Sequence, residues 1–381
     1  MEESRYWELA ELLEQDGALM DPRRGQGRRH RLVDIIVIAV AAAICGADGW
    51  VEVEMFGLAK KAWLREHLQL AHGIPSHDTF GRVFSRIDPE ALMARLNHWI
   101  GASSLAGAGA VIAVDGKSVR RSHDRAAGKA ALHLVSAWAT EHGVVLGQRS
   151  VENKSNEITA IPEVLALLDL KGTVITIDAM GTQTSIAKQI VEGGGDYVLA
   201  LKDNHPTLHQ EVRHWFSRVD HADYPELLHD QDTAVGKGHG RVERRTTQTI
   251  LANGRLSDDT RADWAGLQSL VAVHATRRIG SKKTLETRYF LSSLPGDATR
   301  LAQAIRAHWT IENSLHWSLD VAFREDESRI RTDHAPENMA TLRRFALSLL
   351  KRDTTTKAGI KARRLKAGWD HAYLRHLLAL A

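Results

Sequence analysis

Residues 111–118 read Val-Ile-Ala-Val-Asp-Gly-Lys-Ser, four apolar residues that lead into a carboxylate, a glycine and two polar side chains. A short, continuous apolar run of this kind is typical of a strand that is buried on both faces of a sheet. Residues 173–181, Thr-Val-Ile-Thr-Ile-Asp-Ala-Met-Gly, repeat the pattern. Open α/β sheets place their ligands at the carboxyl ends of such strands, so Asp115 and Asp178 are candidate site residues. The open alternative is that each aspartate caps a helix or pairs with an arginine.

The composition is typical of a globular protein with two or three domains. The chain has 381 residues, of which 43% are hydrophobic and 25% are charged. The net charge of +3 does not by itself indicate nucleic acid, but two segments are strongly basic. Residues 22–31 carry five Arg and no acid, and residues 343–366 carry nine Lys or Arg against the single acid Asp353. Such segments attract phosphate backbones, although a solvated surface is the open alternative.

Three features favour a cytoplasmic protein that does not cross a membrane. The single cysteine, Cys45, excludes a disulfide framework and indicates a reducing compartment. The first 17 residues are acidic and amphipathic, unlike a secretory signal. The longest apolar run, residues 35–47, is too short for a bilayer span, which needs about 20 residues.

Residues 1–100 are predicted to be helical. The predicted helices cover residues 6–14, 32–45, 51–71, 76–87 and 88–100. The helix that Ser76 caps has Phe80, Val83, Phe84 and Ile87 on one face. This short helix fits either a helix-turn-helix that reads DNA or a small helical bundle. The small-residue segment 101–110 is predicted to be a linker and the first domain boundary.

From residue 111 the pattern changes to alternating strands and helices. Strands are predicted at residues 111–114, 132–140, 144–151, 173–177 and 197–201, with helices at 157–168 and 182–192. Residues 141–143 are a hairpin turn. This order predicts an α/β protein whose mixed sheet is flanked by helices.

Residues 203–300 interrupt that alternation. A helix at residues 205–216 is followed by strand-like segments, which predict a β-rich insertion. Gly236, Gly238 and Gly240 imitate a dinucleotide fingerprint, but a β-patterned segment follows them instead of a helix, so we reject that function. A helix at residues 300–319 and a basic, mostly helical C-terminal part complete the chain.

Asp115, Asp178 and a third acid would form a site for two hard divalent cations such as Mg²⁺ or Mn²⁺. Two such ions activate a water or hydroxyl and stabilise the leaving oxygen in phosphodiester displacement. Glu312 is the best third acid, because it lies in an apolar helix where an unpaired carboxylate is costly. Residues 325–327, Glu-Asp-Glu, are predicted to be a solvated charge run, and Asp320 is a reserve candidate.

Basic side chains lie close to both candidate strand ends. Lys117, Arg120 and Arg121 follow the first aspartate, and Lys202 ends the strand at residues 197–201. All four are predicted to reach DNA phosphate oxygens.

His308, Glu312 and His316 are spaced by four residues on one helix face. Zinc is disfavoured, because the HExxH spacing is missing and nothing completes a site. The predicted role of the two histidines is to hydrogen-bond a carboxylate or a DNA phosphate. Trp309 and Trp317 could stack on a displaced base, with core packing as the favoured alternative.

Longer segments of the chain closely resemble the DDE transposases of bacterial insertion sequences, in the branch of the H-repeat-associated proteins. The matching segments are GIPSHDTFGRVF, VDGKSVRRS, SVENKSNEITAIPEVL, TIDAMGTQ, YVLALKDNHPTL, KGHGRVERR, HWTIENSLHWSLDVAFREDESRIR and AGWDHAYL. They cover nearly the whole chain. In better-known relatives of the wider superfamily, Tyr, Arg and Lys surround the glutamate, whereas here those positions hold Ile305, His308 and Leu319.

The resemblance implies a ribonuclease-H-like core, two Mg²⁺ ions that Mn²⁺ can replace, and the acidic triad Asp115, Asp178 and Glu312. It also implies double-stranded DNA as partner, at the element's terminal repeats and at the target. A homodimer on DNA is expected, because such reactions work on paired ends. Lys237 and Arg241, in the KGHGRVERR segment, complete the predicted DNA contacts.

Five segments are therefore predicted. They are a helical N-terminal domain for DNA binding or assembly (1–105), the first part of the catalytic core (106–202), the β-rich insertion (203–300), the rest of the core with the Glu helix (301–350) and a basic helical tail (351–381). The expected activity is cleavage at insertion-sequence ends followed by strand transfer. The alternatives are an inactive DNA-binding descendant of a transposase and a metal-dependent nuclease that cannot join ends.

Overall fold

The computed structural model describes residues 19–25, 28–105, 107–124, 128–151, 157–220, 225–238 and 240–380. The predicted helix at residues 6–14, and residues 152–156 of one family segment, lie outside this range. The helices are α1 (Leu32–Ile44), α2 (Trp50–Ala59), α3 (Lys61–Arg65), α4 (His77–Phe84), α5 (Pro89–Trp99), α6 (Glu157–Leu165), α7 (Thr184–Glu192), α8 (Pro206–Asp220), α9 (Asp258–Asp263), α10 (Ala298–Thr310), α11 (Trp317–Phe323), α12 (Ala335–Arg352), α13 (Ile360–Trp369) and α14 (His371–Leu378). The strands are β1 (Val111–Ser118), β2 (His133–Ala139), β3 (Val144–Val151), β4 (Val174–Ile177), β5 (Asp196–Leu201), β6 (Asp230–Gly238), β7 (Arg241–Leu251), β8 (Ser269–Ile279) and β9 (Lys282–Ser292).

The strands belong to one nine-stranded mixed sheet in the order β3-β2-β1-β4-β5-β9-β8-β7-β6. β1 pairs in parallel with β4, and β4 pairs in parallel with β5. The pairs β2–β3, β5–β9, β9–β8, β8–β7 and β7–β6 are antiparallel. Ile112, Ala113 and Val114 are fully buried, as their apolar run predicts. The prediction of a mixed sheet flanked by helices, of the ribonuclease-H-like kind, is confirmed.

The β-rich segment after residue 203 is part of this same sheet. β9 pairs antiparallel with β5, with Val198 opposite Ser292, and β8, β7 and β6 follow outward. β7 comes directly after the glycine-rich segment, so the β-patterned segment predicted there is a strand. The insertion therefore lengthens the sheet of the core.

The chain divides into two compact units. One comprises residues 1–105, 116–156 and 312–381, and the other comprises residues 106–115 and 157–311. The boundary between the two units falls within β1: its residues 111–115 belong to the second unit and its residues 116–118 to the first. The five-segment division remains a prediction.

The second unit has its apolar core between the sheet and α10. Leu301, Ala304 and Ile305 on α10 pack in one cluster with apolar side chains of β4, β5, β8 and β9. Asp297 caps α10 by accepting a hydrogen bond from the Arg300 amide at 2.9 Å. Ile305, where better-known relatives have Tyr, therefore serves this core.

In the first unit, helices surround the long helix α12, whose residues from 338 to 350 are all buried. α1 and α4 form as predicted, and Phe80, Val83, Phe84 and Ile87 are buried. The predicted single helix at residues 51–71 is divided, because the backbone at Lys60 leaves the helical conformation (φ −101°, ψ 15°). The bend allows Trp63 and Leu64 of α3 to be buried.

No helix in the described part of the chain is both long enough and apolar enough to cross a membrane.

Candidate active site

Asp115 and Asp178 follow a matched pair of residues on adjacent parallel strands. β1 pairs with β4 so that Val114 lies opposite Ile177, and the aspartates come next on each strand. Adjacent strands lie about 4.8 Å apart, so the two carboxylates can bind one ion or two neighbouring ions. Both side chains are half-buried. The register thus brings together two acids that are 63 residues apart in sequence.

The Asp178 carboxylate is fixed by the turn that follows β4. Its Oδ1 accepts hydrogen bonds from the backbone amides of Met180 at 3.1 Å and Gly181 at 3.2 Å. Among the described residues, none donates a hydrogen bond to Oδ2, which leaves that oxygen available to a ligand. One oxygen therefore fixes the orientation of the carboxylate.

His308 connects α10 to the strand that carries Asp178. Its Nδ1 lies 3.0 Å from the hydroxyl of Thr176, which is buried two residues before Asp178. Burial lowers the pKa of His308, and the nearby charge of Asp178 only partly opposes this. A neutral imidazole is therefore the favoured form at neutral pH, and its role is to hold the helix on β4.

Glu312 lies in a π-helical turn that continues α10. Residues 311–316 form this turn, one helical turn after His308. Ile311 and Leu315 are fully buried, whereas Glu312 is exposed. The sequence predicts that Glu312 lies among apolar side chains, and this prediction is wrong. The buried side chains of the turn lie on one face, and Glu312 lies on the exposed face. π-helical turns are frequent at functional sites, where they change the direction of one side chain.

Lys117 is buried in a cluster of acids. Its Nζ lies 2.8 Å from Asp320, 3.2 Å from Asp326 and 3.7 Å from Glu325. Glu325 is fully buried and lies 2.7 Å from the guanidinium of Arg344. The prediction that residues 325–327 are a solvated run is wrong for Glu325. Since three carboxylates surround Lys117, the prediction that this residue contacts DNA is not supported.

The other predicted strand-end cations are exposed. Arg120 and Arg121 lie in the short 3₁₀ turn after β1, and the Nε of Arg120 is 3.0 Å from Asp326. Lys202 is exposed directly after β5. Because their charges face solvent, these three residues stay predicted DNA contacts.

Lys237 and Arg241 are exposed at the tips of β6 and β7. The register places Lys237 in one row across four strands with Arg278 and Lys283, and Val242 is the fourth member of that row. Side chains of one row project from the same face of a sheet. The hairpin tips therefore present several cations on one side.

Trp309 and Trp317 differ in their surroundings. The guanidinium of Arg288 lies over the Trp309 ring, 4.5 Å from its centroid. Trp317 is 62% exposed, so core packing is excluded for it and stacking on a base stays possible. His316 is half-buried on the same π-helical turn as Glu312.

The donor set fits hard divalent cations better than zinc. Asp115 and Asp178 offer carboxylate oxygens, which Mg²⁺ and Mn²⁺ prefer. Within the described residues, no group of three or more His, Cys, Asp or Glu side chains is arranged to hold a metal ion. The strand register brings only the two aspartates together, so a metal site at this point, with Glu312 as third ligand, is a proposal.

A basic cleft in the first unit unites two segments of the sequence. Its volume is about 1010 Å³, and its described lining includes five arginines and no carboxylate. Arg23, Arg24 and Arg29 come from the basic segment 22–31, whereas Arg82 and Arg86 come from α4 and the turn after it. The sequence shows both segments but does not show that they meet.

A family model described as "Transposase DDE domain" matches residues 107–349, and one described as "DDE_Tnp_1-associated" matches residues 17–100. The chain is 40% identical over 374 residues to "Putative transposase YncI" of Escherichia coli, covering 97% of this chain and 95% of that protein. It is 38% identical over 376 residues to "H repeat-associated putative transposase YhhI" of Escherichia coli, covering 98% of each. An uncharacterized protein of Xanthobacter autotrophicus is 47% identical over 280 residues, which cover 73% of this chain and 92% of that protein. These matches confirm the resemblance that the sequence motifs indicate.

Proposed function

Because this chain belongs to the DDE transposase family, we propose that it cleaves DNA at the ends of an insertion sequence and joins those ends to target DNA. The observation that carries this proposal is the parallel register of β1 and β4, in which Val114 lies opposite Ile177 and each is followed directly by an aspartate, Asp115 or Asp178. Two adjacent carboxylates at the carboxyl edge of a parallel sheet suit a site for divalent cations.

Glu312 is the proposed third acid of the site. It follows His308 by one helical turn, and His308 is hydrogen-bonded to Thr176 beside Asp178. The π-helical turn leaves the Glu312 carboxylate exposed and thus able to bind an ion.

Asp115, Asp178 and Glu312 would hold two Mg²⁺ or Mn²⁺ ions. Such ions lower the pKa of a bound water and stabilise the charge on the leaving oxygen. Water is the nucleophile when the first strand is cut, and this step frees a 3′-hydroxyl. That hydroxyl then attacks a phosphodiester of the target, so that a new bond replaces the target bond that breaks.

The proposed partner is double-stranded DNA, held through its phosphates. The arginine-lined cleft of the first unit and the basic hairpin tips of β6–β9 each offer clustered cations. Release of counterions from DNA by such groups is the main source of binding that is independent of sequence. The protein would act as a homodimer on paired ends, in the cytoplasm at the nucleoid, where its DNA substrate lies.

An end-cleavage assay tests the function. Purified protein is mixed with a duplex that carries the repeat flanking its gene, and with Mg²⁺ or Mn²⁺. We expect nicked and joined products on a denaturing gel, and their loss with a chelator or with Asp115→Asn. Binding of the duplex without any metal-dependent product would contradict the proposal and favour the inactive DNA-binding descendant. Nicking without joining would favour the simple nuclease.

A further inference from the structure

Lys117 is one of the most buried charged side chains near the end of β1. It is 8% exposed and contacts Asp320, Glu325 and Asp326, all in the same compact unit. A lysine enclosed by three carboxylates has little freedom to reach a DNA phosphate. Its position, two residues after Asp115, suggests a different role.

The partners of Lys117 lie on the segment that Glu312 begins. Residues 312–316 complete the π-helical turn, α11 follows directly, and Asp320 is on α11. Glu325 and Asp326 form the 3₁₀ turn at the end of the same segment. Lys117 thus ties the end of β1 to the helical segment that carries the proposed third acid.

The cluster is balanced in charge and anchored in the core. Three carboxylates face three cations, because Arg344 contacts Glu325 and Arg120 contacts Asp326. Burial alone would raise the pKa of Glu325, but the charges of Arg344 and Lys117 lower it below its usual value. The pair of Arg344 and Glu325, both almost completely buried, gives Lys117 a rigid base.

We propose that Lys117 is a positioning residue, which anchors the end of β1 and so holds the Asp115 carboxylate, two residues earlier on the same strand, in the orientation that metal binding requires. This inference rests on the proposed function. As residues i and i+2 of one strand, Asp115 and Lys117 project to the same side of the sheet. The side chains that bind a metal ion must be held within about 0.5 Å of their productive positions. The ion pair between Lys117 and Asp320 can therefore change metal affinity without contacting the ion, because it fixes the strand that carries Asp115.

Lys117→Met provides the sharpest test, because loss of the positive charge and loss of the positioning contact should change the affinity for Mn²⁺ in opposite directions. Removing a positive charge close to a cation site would by itself strengthen Mn²⁺ binding. If Lys117 positions the ligands, Lys117→Met weakens Mn²⁺ binding instead, by about 10- to 100-fold. Mn²⁺ binding to the full-length protein is measured by calorimetry, beside the melting temperature and the affinity for the end duplex.

Asp320→Asn is the second variant, in case Lys117→Met does not fold. Asp320 is 36% exposed, so its amide should be tolerated, while its ion pair with Lys117 is lost. Glu327→Gln is the matched control, because Glu327 is a half-exposed acid of the same segment that pairs only with Arg324 among the described residues. We expect weaker Mn²⁺ binding and slower cleavage for Asp320→Asn, with an unchanged melting temperature, and wild-type behaviour for Glu327→Gln.

Two outcomes would overturn the inference. One is stronger or unchanged Mn²⁺ binding in a folded Lys117→Met protein. The other is Asp320→Asn behaving like Glu327→Gln. If the wild-type protein makes no product but both variants weaken Mn²⁺ binding as Asp115→Asn does, the proposed function fails and the positioning role stands.

Discussion

The hydroxyl of Thr176 lies 3.0 Å from Nδ1 of His308, and this hydrogen bond joins β4 to the helix that leads to Glu312. Both groups are in the same compact unit, so the bond is part of its internal packing. His308 takes the place that Arg holds in better-known relatives of the superfamily. Here the residue is a neutral anchor for the helix, because burial lowers the pKa of its ring.

Thr176→Val should slow DNA cleavage while leaving DNA binding intact. Valine keeps the shape of the side chain but removes the hydroxyl, so α10 loses one attachment beside Asp178. We expect a rate decrease of about 10-fold, as for other groups that orient metal ligands. The rate is measured with saturating end duplex and Mn²⁺.

Thr173→Val is the matched control for that experiment. Thr173 is also fully buried, and its hydroxyl donates a 2.8 Å hydrogen bond to the carbonyl of Leu170, at the far end of β4. Both variants should lose similar stability, and only Thr176→Val should lose rate. Equal rates in the two variants would argue against the anchoring role of His308.

Glu325→Gln should strongly destabilise the first unit. Its carboxylate is fully buried against Arg344, so the amide leaves a buried guanidinium without its counter-charge. Breaking a buried pair by removing one partner costs about 3–5 kcal/mol. The free energy of unfolding is measured with urea.

Glu327→Gln is the control for Glu325→Gln, because the ion pair of Glu327 with Arg324 is exposed to solvent. Exposed pairs contribute about 0–1 kcal/mol, so the midpoint of unfolding should hardly move. A Glu325→Gln protein as stable as this control would show that the buried pair is dispensable.

Asp353 makes the stability of the C-terminal helices dependent on pH. Burial alone would raise the pKa of Asp353, but hydrogen bonds from Thr355 and Tyr373 and the charge of Arg363 hold this pKa well below its usual range. The Tyr373 hydroxyl donates to the carboxylate at 2.6 Å. A carboxylate whose pKa is lowered by folding adds stability above its unfolded pKa of about 3.9, and this stability is lost as the pH falls below that value.

Asp353→Asn should therefore lower the free energy of unfolding at pH 7 by about 2–4 kcal/mol. The difference from the wild-type protein should shrink when the pH is lowered from 5 towards 2. Asp203→Asn is the control, since Asp203 is 97% exposed and should change little at either pH. A deficit of equal size at pH 7 and at pH 2 would exclude the carboxylate as its source.

The arginine-lined cleft should set the salt dependence of DNA binding. Arg82→Ala and Arg86→Ala each remove one exposed cation that lines the cleft. Each substitution should reduce the slope of log K against log salt by about 1 and weaken binding to all duplex sequences alike. Fluorescence anisotropy over a range of salt concentrations measures both quantities.

Arg65→Ala is the matched control for the cleft, because Arg65 is an exposed arginine of the same unit that does not line it. If Arg65→Ala changes the slope as much as Arg82→Ala does, the binding is diffuse and the cleft has no special role.

The sequence predicts the strands of the site well, because their apolar runs are local signals. The apolar runs before Asp115 and Asp178 form buried strands as predicted, although β1 continues past Asp115 to Ser118 and only β4 ends directly before its aspartate. The hairpin of β2 and β3 is predicted for the same reason, since Gly143 supplies the positive φ of 68° that its turn needs.

Long-range ion pairs and backbone irregularities could not be predicted from the sequence. Lys117 and Asp326 are more than 200 residues apart in the chain, so nothing close in sequence indicates that this lysine is buried among acids. Arg343, Arg344 and Arg364 look like a basic surface but are almost completely buried. The π-helical turn at Glu312 depends on how the helix packs, which a periodicity of 3.6 residues does not reveal.

The most direct test of the acidic site compares cleavage rates of Asp115→Asn, Asp178→Asn, Glu312→Gln and the triple variant on one end duplex with Mn²⁺. Asp203→Asn is the control, an exposed acid two residues beyond the end of β5. If the three acids act as one unit, each single variant loses at least about 10³-fold in rate, and the triple variant is no slower than the singles. Binding of the duplex should remain in every variant. A single variant that cleaves within about 10-fold of the wild-type rate would contradict the assignment of that acid to the site.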